Sequence, residues 1–171
     1  MRRRLLPILS ILLFTGAGLA TAVPARADGR HDHPGQHGHD GHALSLRQIV
    51  RLWFATARYH DVDAAFASGR VDLDLCFDQM GEHYADPATF SDGVLDPIRP
   101  EAMVYEHVGD RLRLVAVEWV STTPGEVLGI PLHLNENLGV WVLHAWIWKS
   151  NPDSMLADFN PRVGDCPADP T

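Results

Sequence analysis

Two apolar-rich runs, AMVYEHV over 102–108 and RLRLVAVEWV over 111–120, are separated by only Gly109-Asp110, and this pair constrains the fold more than anything else in the chain. Gly-Asp between two such runs is a two-residue β-hairpin turn. A turn of that length fixes the register: Tyr105 faces Leu114, Glu106 faces Arg113, Met103 faces Ala116, and Glu101 faces Glu118. Glu106 with Arg113 is an ordinary cross-strand ion pair. Glu101 and Glu118, however, then share a face with Met103, Tyr105, Leu112, Leu114, Ala116 and Val120. Like charges opposite one another, with Cβ atoms ~5 Å apart on an apolar face, destabilise a sheet unless a proton or a cation lies between them. A metal ion would resolve the conflict.

The strongest other strand is VWVLHAWIWK, over 140–149. Its even positions Val142, His144, Trp146 and Trp148 line one face, and Trp141, Leu143, Ala145 and Ile147 the other. Both faces are apolar, so the strand is central and His144 is a buried imidazole. Alone, such a residue reads more readily as a hydrogen-bonded core histidine than as a ligand. With Glu101, Glu118 and His83 it makes a candidate mixed His/Glu metal site, beside a pocket of Tyr105, Trp146 and Trp148. His60, His107 and His133 fall outside this set.

Around these strands the sequence predicts an α+β fold, with one long N-terminal helix packed on an antiparallel sheet and a turn-rich C-terminal coil. Ser45 with Gln48 forms a capping box, and Leu46, Ile49, Val50, Trp53, Phe54 and Ala57 recur at the helical period toward a stop at Gly69, with a break near His60 and Asp61. VDLDLCFD, over 71–78, alternates like a short strand. The next sixteen or so residues, including His83, read as loop because of Asp86-Pro87 and Asp92-Gly93. Residues 127–134 are a weaker strand, and Asn151-Pro152, Asn160-Pro161 and Cys166-Pro167 mark the terminal coil.

The N-terminus adds a compartment. Residues 1–27 carry Arg2, Arg3 and Arg4, an apolar stretch from Leu5 and an A-x-A pattern at Ala25 and Ala27, which predicts a signal peptide; a cut after Ala22 fits the same pattern. Interruptions at Pro7, Ser10, Thr15, Gly16 and Gly18 argue against a membrane anchor. Removing 27 of the 171 residues leaves 144, and losing four arginines takes the net charge from −8 to −12. The exported chain is then a single acidic domain over 44–171, suited to cations and unsuited to nucleic acid or anionic membrane. In an oxidising compartment its two cysteines, Cys76 and Cys166, read as a disulfide; two thiolate ligands are the alternative, though neither has a close Cys or His at finger-like spacing.

Between signal and domain, residues 28–43 hold five of the ten histidines: His31, His33, His37, His39 and His42. With no apolar residue over 28–41, the run has nothing to bury and is expected to be disordered. Imidazoles on a flexible chain can wrap Cu(II), Zn(II) or Ni(II). A solubilising spacer or an expression tag is the competing reading.

The segments MGEHYADP (80–87), RPEAMVYE (99–106), RLVAVEW (113–119), LHAWIWKSNPDSM (143–155) and FNPRVGDC (159–166) resemble an uncharacterised family of secreted bacterial proteins, which shows G-x-H-Y-x-N-P, P-E-x-L-x-Y-E, L-H-x-W-x-W-x-x-N-P and N-P-x-V-x-C segments in this order. The resemblance spans about residues 48–167 and departs at Asp86, where the family has Asn, and by one extra residue before Cys166. It implies attention to His83, Glu101, Glu118 and His144, and no activity. Three function classes stay open: a secreted Cu(II)- or Zn(II)-handling protein, with the tail gathering ions and the folded site holding one; a metalloenzyme at the same His/Glu site; and a metal-free module binding an apolar ligand or partner. No G-x-S-x-G, H-E-x-x-H, P-loop or dinucleotide fingerprint is present.

Overall fold

Ser45 opens the first helix through a complete capping box: its side chain accepts from Gln48 N–H, and the Gln48 side chain accepts from Ser45 N–H at 2.7 Å. The computed structural model describes residues 41–167. The segment expected to be a signal peptide and His31, His33, His37 and His39 lie outside the described residues; His42 lies within them and is exposed.

The long helix expected to cover the sheet does not form. Helix α1 (Leu46–Thr56) has 11 residues and passes into a four-residue 3-10 turn over Ala57–His60; Asp61 then takes an extended conformation and caps a separate short helix, α2 (Val62–Ala67), by accepting from Asp63 N–H. Thr56 Oγ bonds back to Leu52 O, which competes with regular helix geometry where α1 ends. The buried stripe is also rotated from the expected one. Leu52, Thr56 and Tyr59 face inward, whereas Leu46 and Phe54 are 72% and 85% exposed. Periodicity alone located a helix but misjudged its length and its inner face.

The fold is therefore mostly sheet. In chain order the strands are β1 (Val71–Phe77), β2 (Gly81–Ala85), β3 (Ala102–Val108), β4 (Arg111–Ser121), β5 (Glu126–Val127), β6 (Ile130–Pro131), β7 (His133–Asn135) and β8 (Val140–Ala145). Six of them form a curled antiparallel half-barrel in the order β1-β2-β3-β4-β8-β7, and β5 pairs with β6 as a separate ribbon. Strand β2 occupies part of the segment read as loop. Its signals are weak because it begins at a glycine, but the glycine is required: Gly81 has φ +107°, and a Cβ there would sit 2.3 Å from Tyr105 O.

Each face of the sheet has its own core. Tyr84, Met103, Tyr105, Val117, Trp119, Leu143 and Ala145 pack with Leu52, Tyr59 and Ala65 of the helical segment. Val104, Val115, Ala116 and Trp146 form a second cluster with Met80 and Val163; Ala85, Ala102, Val120 and Val142 form a third. Leu75 of edge strand β1 and Asn135 of edge strand β7 line one cavity with mid-sheet Glu118, so the curl brings both edges around this inner face.

The hairpin turn is where the sequence puts it, and Tyr105↔Leu114 and Glu106↔Arg113 pair as expected. Beyond Tyr105 the register changes. Val104 pairs with Ala116, Met103 with Val117 and Ala102 with Glu118, which leaves Val115 as an extra residue on β4. This is a β-bulge, and it inverts the side-chain alternation of everything after it. Val115 and Ala116 lie in the same cluster, and the freed Val115 carbonyl accepts from both Trp148 N–H and Lys149 N–H, at 3.2 and 3.1 Å.

The C-terminal coil is tied down as expected. Cys76 and Cys166 form a disulfide with Cα atoms 5.9 Å apart, Asn160 N–H donates to Gln79 O at 2.7 Å, and Trp146 N–H donates to Met155 O at 2.9 Å. No helix among the described residues is long and apolar enough to cross a membrane.

Candidate metal centre

The bulge decides where Glu118 goes. Without it, Glu118 would project with Met103 and Tyr105 toward the helical segment. With it, Glu118 turns to the inner face, directly opposite its register partner His144 on β8. His83 reaches the same point from β2, two strands away from β4, over the small side chain of Ala102. Glu118 Oε1 lies 3.4 Å from His144 Nε2, and Glu118 Oε2 lies 3.6 Å from His83 Nε2. All three residues are buried.

Each imidazole is oriented from behind. His83 Nδ1 donates to Leu75 O at 2.9 Å, which leaves the lone pair on Nε2, the atom facing Glu118. His144 Nδ1 lies 3.5 Å from Asp158 Oδ1, and Asp158 Oδ2 in turn lies 3.1 Å from His133 Nε2. The carboxylate–histidine arrangement Asp158–His144 is the type of outer support that metal-binding histidines carry. Neither ring nitrogen of His144 completes a hydrogen bond, although the residue is only 1% exposed. A buried imidazole without such a bond is a costly thing to leave unserved.

The charges are arranged to receive a cation. Burial depresses the pKa of His83, which Glu118 only partly opposes, so this ring is held neutral and ready to ligate. Burial likewise disfavours charge on His144, but Glu118 and Asp158 outweigh it and raise its pKa. For Asp158 burial raises the pKa, and His133 at 3.1 Å together with the nearby His144 ring overcome this and hold it well below the usual carboxylate range. A proton on His144 between two carboxylates is thus the metal-free answer to the same charge that an ion would neutralise.

Among the described residues, His83, Glu118 and His144 form the group of donors that can hold a metal ion, with ligand atoms all within 4.8 Å of one another. Tetrahedral coordination with bonds of about 2.0–2.2 Å has ligand-to-ligand edges of roughly 3.3–3.6 Å. Each Glu118 oxygen already stands at such a distance from one imidazole, Oε1 from His144 and Oε2 from His83, while a set with one oxygen per carboxylate lies within 4.8 Å and needs side-chain adjustment to reach these edges. The donor set, two neutral imidazoles and one carboxylate, suits Zn(II), Cu(II) or Fe(II). A comparison with known protein families, curated proteins and solved structures returns no match.

Glu101 does not join this group. The bulge breaks its expected pairing with Glu118; its carboxylate accepts from Val120 N–H at 3.1 Å and borders a separate cavity of about 430 Å3 with Tyr59, Arg70 and Asp96. Burial raises its pKa to about 7, against the opposing pull of that hydrogen bond. Nor do Tyr105, Trp146 and Trp148 line the cavity at the site. Tyr105 and Trp148 belong to the core on the helical side; Tyr105 donates to Tyr59 O at 2.6 Å and Trp148 Nε1 to Thr56 Oγ at 3.1 Å. Trp146, on the inner side, stacks on His144 at 6.2 Å and donates to Ala157 O at 2.6 Å.

Sequence reasoning missed Asp158, His133 and the Leu75 carbonyl. Asp158 stands one residue before the FNP segment of the terminal coil, and an acidic residue buried by a disulfide-anchored coil was the available signal. His133 looks like a surface residue because β7 is only three residues long.

Proposed function

We propose that this protein is an exported metal-binding protein that handles Zn(II) or Cu(II) at a site of His83, Glu118 and His144. The observation that carries the reading is the convergence of two buried Nε2 atoms on one buried carboxylate, each imidazole being set from behind by an oxygen. The Cys76–Cys166 disulfide supports an oxidising compartment, in line with the signal-like N-terminus and with the sequence segments that resemble secreted bacterial proteins. In this reading the histidine run over 31–42 gathers ions at low specificity and the buried site holds one. The acidic exported chain takes metal ions as partners rather than nucleic acid or a membrane.

The test is elemental analysis of the full exported chain, purified without chelator or nickel resin, beside His83→Ala, His144→Ala and Glu118→Gln. The proposal expects one equivalent of a defined metal to be lost in each variant while the remaining, weakly held metal is unchanged. Equal metal content in all four proteins would overturn it.

A further inference from the structure

The three candidate ligands share one small cavity, and its walls are otherwise almost wholly apolar. Leu73 and Phe77 of β1, Phe90, Val120 and Val142 enclose a space of about 50 Å3 against His83, Glu118 and His144. Asn135 adds the other polar wall, but its Oδ1 already accepts from the N–H groups of Asn137 and Leu138. A space of this size admits a few waters or one molecule such as dioxygen or azide, and is far below the ~300 Å3 or more of a site for a drug-sized ligand.

Three protein donors, with Glu118 bound through one oxygen, do not complete even a four-coordinate shell. Asp158 stands behind the His144 ring, at Nδ1, on the far side of the imidazole from Glu118. Glu101 is outside the group. A structural site closes its shell with protein ligands, whereas a reactive one leaves a position to exchange. Building on the metal-binding reading above, we propose that an ion held by His83, Glu118 and His144 keeps an exchangeable position facing this cavity, for a small exogenous Lewis base. Apolar walls around that position exclude bulk water and larger ligands. The site then serves small-molecule chemistry or sensing rather than inert storage.

Met80 also lines the cavity, and its thioether competes for the position, as does the second oxygen of Glu118. The full chain is loaded with one equivalent of Co(II), and the absorption of a His144→Ala control is subtracted to remove ions held elsewhere. Azide is then titrated. The expected result is a saturable change in the difference spectrum, unaltered by Met80→Leu and weakened about tenfold by Val142→Ile, which narrows the cavity at a residue that is not a candidate ligand. Leu138→Trp at the exposed mouth disturbs no buried packing and should slow azide entry if Val142→Ile fails to fold. Cobalt retained with a spectrum indifferent to azide, or a metal spectrum altered by Met80→Leu before azide is added, would overturn the open position and leave the metal site standing. No difference in bound cobalt between the chain and His144→Ala would overturn both.

Discussion

Replacing Glu118 by Gln should destabilise the protein without metal and widen the gap to wild type when metal is added. In the metal-free protein at about pH 6, Glu118 Oε1 lies 3.4 Å from His144 Nε2, both side chains are nearly excluded from solvent, and the His144 pKa is raised, so the pair is a buried ion pair. Breaking such a pair by removing one partner typically costs 3–5 kcal/mol. Asp158, 3.5 Å from the other ring nitrogen, still compensates His144, so the loss belongs at the low end, ~3 kcal/mol. For a domain of this size that is roughly a 10 °C fall in Tm. Adding Zn(II) at about 100 times its Kd should stabilise the wild-type chain by ~2.7 kcal/mol and the variant hardly at all. Chelator-stripped protein is melted with and without Zn(II), followed by circular dichroism. A variant as stable as wild type without metal, or one that Zn(II) stabilises as much as wild type, would refute the reasoning.

Asp158→Asn should weaken metal affinity 10- to 100-fold without abolishing it, by competition titration, because it removes the support behind His144 and leaves all three ligands in place. Reduction of Cys76–Cys166, which spans 90 residues of chain, should lower stability by ~4–5 kcal/mol in urea unfolding on the chain-entropy argument, with two thiols appearing only after reduction. For Glu101 the folded pKa of about 7 lies above the ordinary 4.5, so its contribution to stability is fully present below pH 4.5 and is lost as pH rises through 7. Glu101→Gln, which keeps an acceptor for Val120 N–H, should therefore be little different from wild type at pH 4.5 and more stable at pH 8; equal melting curves at pH 8 would contradict this.

The hairpin shows most clearly how far the sequence could be read. Gly109-Asp110 announces the turn, and the register holds as far as Tyr105 and Leu114 because two-residue loops leave no freedom. The bulge at Val115 is silent: it falls inside the run LVAV, with no glycine or polar residue to mark it, and its cause is the carbonyl contact with Trp148 and Lys149, some thirty residues away. Sequence alternation therefore puts Glu118 on the wrong face and pairs it with Glu101, whereas in the structure Ala102 is its partner on β3. His144 was placed correctly because strict alternation along β8 needs no partner to be read. His83 was singled out without its strand, whose start depends on the contact of Gly81 with Tyr105. The helix was overestimated because periodicity cannot see Asp61 capping a new helix. Asp158 acquires its role only from a coil folded back by the disulfide.

The two sheet edges also bear on how the chain behaves in a crowded compartment. An open strand edge is a template for growth into fibrils. Here β7 is too short to offer a useful template. At the other end β1 carries Asp72 and Asp74, is interrupted between Asp72 and Cys76 where Asp74 adopts φ +54°, and is clasped near its end by the terminal coil through Cys166 N–H on Asp78. Charge, backbone irregularity and a covalent clasp all act on the same edge. The cross-link therefore guards colloidal solubility as well as the fold, and a chain that misses it in the cell would be lost first to aggregation.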